Sequence, residues 1–343
     1  SDDRNRISGT FHFAHDLDKV IGKVTAIILL VVSVLYFATP LVISRILNRM
    51  ASEVCESCNI QWKKTTIQLF PIRVLIFDVS LHWGEPLTTE IKSKIRSIQI
   101  DPLRRKIRIE NPTVWVIDGD EKTFHSSDPT AENFSVQNRI PKKIREIEVM
   151  DGDFVYQRVH QKTLNHRSGQ IHVHAIHARG ISKESKKTVT IDATAILESS
   201  GKINLNLFFP DFENPSDVDI SLLMSSFPIQ EANVYFNQAE GIKFSGNLIH
   251  GSSSIAMRGN RLSAWVRAQY NGFKLEFNKL EERSALSAAI ETLLGRFKFQ
   301  SDKPDEFGPR PRQIAIIHRE KEEAIPAFVF RGLMEAALLE AAK

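Results

Sequence analysis

An uninterrupted apolar run stands out in the hydropathy pattern near the beginning of the sequence. The residues from Val24 to Ile43 carry no charge, and Lys23 and Arg45 flank the run. At about 1.5 Å per residue, a helix of this length crosses the roughly 30 Å hydrocarbon core of a bilayer. The run is longer than the apolar core of a cleaved signal peptide, about 7–15 residues, and it lacks the polar face of a soluble core helix. The pattern predicts an uncleaved transmembrane helix at residues 24–43.

The hydropathy pattern divides the rest of the chain into segments of different kinds. Residues 44–58 continue with apolar positions at helical spacing, alternation dominates residues 59–280, and helical spacing returns at 281–294 and 326–342. The predicted order is therefore a polar arm at 1–23, the transmembrane helix at 24–43, a membrane-proximal helix at 44–58, a β-sheet domain at 59–280 and a helical region at 281–343 that contains a Pro- and charge-rich loop.

Period-two alternation of apolar and polar residues marks the β region and is typical of strands with one buried face. Two stretches alternate clearly, and their apolar residues are Val79, Leu81, Trp83, Val218, Ile220, Leu222 and Met224. Turn residues separate the predicted strands at Asn111-Pro112, Asp151-Gly152 and Asn271-Gly272, and the last pair is the strongest hairpin signal. The pattern predicts a mainly β fold with an extended antiparallel sheet and a few covering helices toward residue 343.

A long sheet with one apolar face has three ways to remove that face from water. Helices cover it, the sheet folds on itself, or the face contacts an apolar ligand such as an acyl chain. The third way makes the alternating residues candidate lipid contacts: Val79, Leu81, Trp83, Val218, Ile220, Leu222 and Met224. The predicted helices at 281–294 and 326–342 offer the alternative of an ordinary covered core.

Charge and motif content exclude several classes of protein. The net charge is +4, and the basic residues are spread along the chain rather than gathered with aromatic residues, so a nucleic-acid partner is not predicted. The sequence contains no Gly-x-Ser-x-Gly, no phosphate-binding glycine loop and no His-Glu-x-x-His. We therefore predict no enzymatic activity, no catalytic residues, no metal and no cofactor.

A histidine-rich stretch is the strongest remaining candidate for metal chemistry. His172 and His174 are two residues apart on a predicted strand and share a face, whereas the spacing places His177 on the opposite face. Two such histidines are a minimal metal-binding pair. The alternative is that they belong to the polar, solvated face of the sheet, and the pattern favours this alternative.

The order of the predicted elements resembles the AsmA-like superfamily of bacterial envelope proteins, in particular its subgroup named only as a domain of unknown function. The opening strand with Pro71, the next strand, the signature Asn111-Pro112-Thr113-Val114 and a later segment around Asp151 carry the resemblance. The matching stretches are 67–72, 77–81, 107–114, 147–156 and 227–246. Together they extend the resemblance over residues 24–280.

The resemblance implies a location and a role that the residue pattern does not give. It implies a single-pass protein of the bacterial inner membrane with a cytoplasmic arm at 1–23, a periplasmic body and a curved, groove-like (taco-like) sheet. The function it implies is lipid transport or envelope organisation through the apolar face, with the membrane, phospholipid and envelope proteins as partners. The alternative is a non-enzymatic scaffold or assembly subunit of an envelope complex.

The two cysteines, Cys55 and Cys58, have the spacing of a redox motif, but no βαβ unit surrounds them. One such pair does not complete a four-ligand zinc site. In the oxidising periplasm that the resemblance implies, a local disulfide is favoured over metal attachment or redox function.

Overall fold

The computed structural model describes residues 59–84, 89–118, 144–160, 167–183, 187–211, 214, 216–277, 314–319 and 325–341. The predicted arm, transmembrane helix, membrane-proximal helix and cysteine pair lie outside these residues, as does the helix predicted at 281–294. Within the described ranges, no helix combines the length and the apolar character needed to cross a membrane.

The described chain forms thirteen strands and two helical elements. The strands are β1 Asn59–Gln61, β2 Lys64–Leu69, β3 Ile72–Gly84, β4 Thr89–Asp101, β5 Lys106–Asp118, β6 Glu146–His160, β7 Arg167–Lys183, β8 Thr188–Leu197, β9 Gly201–Phe209, β10 Val218–Pro228, β11 Ile242–Arg258, β12 Arg261–Phe277 and β13 Ala315–His318. Between β10 and β11, the element α1 consists of a 3-10 helix Ile229–Ala232, an α-helical turn Asn233–Tyr235 and a π-helical turn Phe236–Glu240. Helix α2 is Ile325–Ala341, where the sequence predicts its final helix.

All thirteen strands belong to one open sheet. Neighbours in the sheet follow the order of the sequence from β3 to β13, while β1 and β2 both pair with β3 along its outer edge. The mainly β fold with one large, mostly antiparallel sheet confirms the coarse prediction. Strand β13 lies within the stretch that the sequence assigned to the helical region, and it pairs with Arg261 to Ala264 of β12.

One pair of neighbouring strands is parallel, which the sequence did not predict. Strands β5 and β6 run in the same direction, with Ile107 opposite Ile147 and Val116 opposite Tyr156. Parallel neighbours require a crossover of a dozen or more residues rather than a tight turn. The prediction of antiparallel pairing throughout was wrong here. Apolar and polar residues alternate in the same way in parallel and antiparallel strands, so the pattern does not distinguish them.

Three predicted turns are not turns. Asn111-Pro112, Asp151-Gly152 and Asn271-Gly272 lie inside the continuous strands β5, β6 and β12. Asn111, Asp151 and Gly272 have positive φ angles of 48°, 53° and 60°. At Asn111 and Asp151 this conformation accommodates a local break in strand pairing, so the turn-forming residues distort a strand instead of reversing it.

The irregularities follow a line across the sheet between β3 and β7. Residues with positive φ lie in the middle of β3, β5, β6 and β7, at Asp78, Asn111, Asp151 and Ala175. On β7 the register shifts between His174 and His177. A bulge inserts one residue into a strand. Residues on either side of it that are three apart, rather than two apart, therefore lie on the same face. The apolar face therefore continues across the line.

Both helical elements pack on the apolar side of the sheet. Helix α2 contributes Phe328 and Ala336, both completely buried, to a core cluster with strands β10 to β13. Element α1 contributes Ala232 and Phe236 to a second cluster that also contains Leu197 and Phe227. Burial of apolar surface under these two elements forms the closed cores of the described structure.

Candidate functional site: the apolar face of the sheet

Strand register builds a continuous apolar surface from nine strands. In one row, the Cα partners from β3 to β11 are Val74, Ile100, Ile107, Ile147, Gly180, Ile191, Leu207, Ile220 and Ile255. In the adjacent row, the partners from β3 to β10 are Ile76, Ile98, Ile109, Val149, Ala178, Ala193, Leu205 and Leu222. At about 4.8 Å between strands, each row extends over roughly 40 Å. We call this side the apolar face.

The three candidate residues of β3 lie on the apolar face beyond the line of bulges. Val79, Leu81 and Trp83 have Ile95, Ser93 and Ile91 of β4 as their Cα partners. Val79 is buried, whereas Leu81 and Trp83 are half-buried. The positive φ of Asp78 interrupts the alternation of β3, so Val79, three residues after Ile76, shares its face, and both residues are buried.

The four candidate residues of β10 differ in their surroundings. Val218 and Ile220 belong to the cluster under α2, and Met224 packs in the cluster under α1. Leu222 lies between them, is half-buried and belongs to neither cluster. Alternation predicted all four residues as lipid contacts. In the structure three of them lie in the two covered cores, and Leu222 lies between the cores.

Element α1 determines how far the apolar face is covered at the β7–β11 side. The amide of Asn233 brackets the backbone of Phe244, donating from Nδ2 to its carbonyl and accepting from its N–H, each at 2.7 Å. The carboxylate of Glu231 accepts from the N–H of Ser199 at 3.1 Å, in the turn that follows β8. This helix was not predicted from the sequence, although Pro228 immediately before it is a helix-start signal.

Close approach of backbones fixes the same helix against β7. A Cβ atom added at Gly169 would lie 2.5 Å from the carbonyl oxygen of Tyr235 and 2.8 Å from the Cβ of Ala239. Gly332 plays the same role in α2, because a Cβ there would lie 2.4 Å from Cδ2 of Leu262. A glycine therefore lies at the contact of each helical element with the sheet, and at Gly169 the neighbouring atom is backbone.

The opposite face of the sheet is polar and carries an ion-pair network. Lys106 Nζ lies 3.0 Å from Glu146 and 2.9 Å from Glu148, and Arg108 also contacts Glu148 at 2.8 Å. The hydrogen bond from Lys106 holds the pKa of both carboxylates below their usual value, and the bond to Glu148 raises the pKa of Lys106. The network ties β5, β6 and β7 together, since Arg179 of β7 also contacts Glu146.

The histidines lie on this polar face. His174 is opposite Ile196 and His177 is opposite Thr194, two residues apart on β8, so both histidines share a face. The prediction that His177 lies on the other face was wrong, because the bulge at Ala175 resets the alternation. Among the described residues, no group of three or more metal-ligand side chains is close enough to hold a metal ion.

Comparison with known proteins does not assign the chain to a family. No protein-family model matches the chain, and no curated protein matches it. The resemblance to AsmA-like proteins stays a prediction that rests on the order of motifs.

Proposed function

We propose that the protein is a non-enzymatic, membrane-anchored protein of the bacterial envelope that binds lipid acyl chains on its apolar face. The proposal rests on one observation: the apolar rows extend over more strands than the two helical elements contact. In the described structure, neither helical element makes an extended contact with β3, β4 or β5. Ile98, Ile107 and Ile109 of these strands remain half-buried.

The bulges support a curved, groove-like sheet, which is the shape that this function requires. A bulge bends its strand and increases the local twist. Register shifts on β6 and β7, together with the positive-φ residues Asp78 and Asn111, place irregular backbone along one line through the sheet. A bend along this line would turn two flat apolar strips toward each other and enclose an acyl chain between them.

Substitution of Leu222 tests the proposal. An aspartate in a sealed core would be an unpaired buried charge and would cost several kcal/mol. At a half-open position that contacts lipid, it would instead exclude the acyl chain while the protein stays folded. We expect the purified full-length Leu222→Asp variant to resist proteolysis and to lose the lipid that mass spectrometry detects in the wild type.

The next residue provides a matched control. Leu223 is 47% exposed and lies on the polar face, opposite Asn204 and Ser252. Leu223→Asp should retain lipid. Lipid retained by a folded Leu222→Asp variant, or no lipid in the wild type, would contradict acyl-chain binding at this position. A stoichiometric partner protein without lipid would favour the scaffold instead.

A further inference from the structure

We propose that the end of the sheet formed by the β2–β3 and β4–β5 turns contacts the surface of an anionic bilayer. This contact goes beyond the proposed function, and it does not require lipid on the apolar face. It is also separate from the predicted membrane anchor, because every residue that forms it belongs to the described sheet.

Two neighbouring turns expose large apolar side chains at this end. Phe70 is 89% exposed and Leu103 is 74% exposed, and Ile72 beside Phe70 is 46% exposed. The pairs Leu69–Ile72 and Asp101–Lys106 close the two hairpins, and Val74 of β3 is opposite Ile100 of β4. Both turns therefore project from the same end of the sheet.

Basic residues lie along this end of the sheet from β3 to β8. The N–H of Arg145 donates to the carbonyl of Arg105 at 2.8 Å, and the N–H of Ser182 donates to the carbonyl of Arg145 at 2.9 Å, which places the start of β6 and the end of β7 beside the β4–β5 turn. The basic residues at this end are Arg73, Arg104, Arg105, Arg145, Lys183 and Lys187.

Basic residues outnumber the described carboxylates beside these turns. Asp101 is shared by Arg73 at 3.8 Å and Arg104 at 3.9 Å, and Glu146 is paired with Lys106. Across six strands the basic residues span roughly 25 Å at the usual strand spacing. A line of cations beside apolar tips matches an anionic headgroup layer with acyl chains beneath it, since the tips enter the interface while the cations bind phosphates.

A protein partner fits this arrangement less well than a bilayer. The exposed apolar groups stand on separate turn tips, and cations rather than a continuous apolar surface surround them. Protein interfaces bury a connected apolar centre within a polar rim. Insertion of separated tips into an interface requires no such connected centre.

Vesicle flotation measures the contact on the full-length chain. The chain is held in nanodiscs of neutral phosphatidylcholine, and vesicles of phosphatidylcholine with or without phosphatidylglycerol are added at low and high salt. We expect binding only to vesicles that contain phosphatidylglycerol, with loss of binding at high salt. Arg104→Glu should weaken binding about 25-fold, since each unit of positive charge contributes about fivefold and the reversal changes the charge by two units. Leu103→Ser should weaken it about tenfold.

Two control variants carry the same chemical changes at exposed positions away from this end of the sheet. Lys202→Glu reverses a basic residue at the opposite end of the strands, and Leu223→Ser removes an exposed leucine from the middle of β10. Both should bind as the wild type does. Thermal unfolding of all four variants should match the wild type, because each altered side chain is exposed.

Hydrogen exchange on the same samples locates the contact. We expect anionic vesicles to slow exchange of the amide of Phe70 and of the amides of Leu103, Arg104 and Arg105, the residues of the two turns that carry an N–H. Absence of binding to anionic vesicles, or equal binding by Arg104→Glu, Leu103→Ser and the wild type, would overturn the proposal. Binding to a membrane protein in the vesicles would also overturn the proposal. In that case binding would be absent from pure lipid vesicles and would be lost when the protein-containing vesicles are treated with protease.

Discussion

Single residues matter most in this protein where their backbone or charge environment is unusual. Lys106 is shared by Glu146 and Glu148, and all three side chains are no more than about a quarter exposed. Such a partly buried arrangement stabilises the folded state more than an exposed pair does, since solvent screens it less. The three residues link β5 to β6, the one parallel pair among the described strands.

The low pKa of Glu148 predicts how stability depends on pH. Its pKa is lowered from 4.5 by the hydrogen bond from Lys106, so its stabilising contribution is complete above the unfolded value and is lost as the pH falls through the folded value. We expect Glu148→Gln to lower the free energy of unfolding at neutral pH by about 1 kcal/mol. The variant should then lose less stability than the wild type on acidification below about pH 4.5.

Urea denaturation at a series of pH values measures this difference. Glu335→Gln, which changes an exposed carboxylate on α2, is the matched control and should keep the wild-type pH dependence. Parallel pH curves for Glu148→Gln and the wild type would show that the ion-pair network does not contribute to acid stability.

Elements in this protein are placed by contacts that have weak sequence signals. Element α1 combines three helix types in twelve residues and is attached by Asn233 to β11 and by Gly169 to β7. The sequence around it offers a proline start but no long helical repeat. Its position on the apolar face comes from these contacts, and that position decides which of the candidate lipid contacts are covered.

Substitution of Gly169 tests how α1 is seated. The added Cβ would overlap the backbone of Tyr235, which cannot rotate away as a flexible side chain can. We expect Gly169→Ala to lower the free energy of unfolding by about 1–3 kcal/mol and to speed amide exchange across 229–240.

Another glycine of the same strand provides the control. At Gly180 the nearest atom to an added Cβ would be 3.6 Å away, which is ordinary van der Waals contact. Gly180→Ala should be neutral or slightly stabilising, because alanine restricts the unfolded chain. Equal loss of stability in both variants would show that strand flexibility, rather than contact with α1, is responsible.

At the scale of the whole molecule, the sheet is covered unevenly. Described helices lie over strands toward β13, while the apolar rows of β3 to β5 have no extended contact with them. The proposed anchor precedes β1, so the uncovered strands are those nearest to it in the sequence.

The orientation of the anchor is a further prediction, and it rests on the family resemblance. Flanking charges do not decide it, since four basic residues lie on each side of the run: Arg4, Arg6, Lys19 and Lys23 before it, and Arg45, Arg49, Lys63 and Lys64 after it. We expect a reporter that is active only in the periplasm to be active when fused after Lys343. Activity from a fusion before Lys19, with none after Lys343, would reverse the orientation.

Much of the local structure could be predicted because side-chain direction along a strand is a local property. Alternation correctly gave the faces of Ile220 and Leu222, and it gave the mainly β class. The same rule failed at His177, where one bulged residue reverses the outcome. The strand irregularities at Asn111 and Asp151 looked like turns because the residues that favour turns also favour positive φ.

By itself, the sequence determined the type of secondary structure and which residues of each strand are apolar. Both depend on neighbours within a few residues, where backbone geometry alone sets the direction of side chains. Only the tertiary structure decided that β5 and β6 run parallel, that the apolar face continues across the line of irregular residues, and that α1 and α2 cover one part of the face. These features depend on pairing and packing between residues far apart in the chain, and no local pattern encodes such contacts.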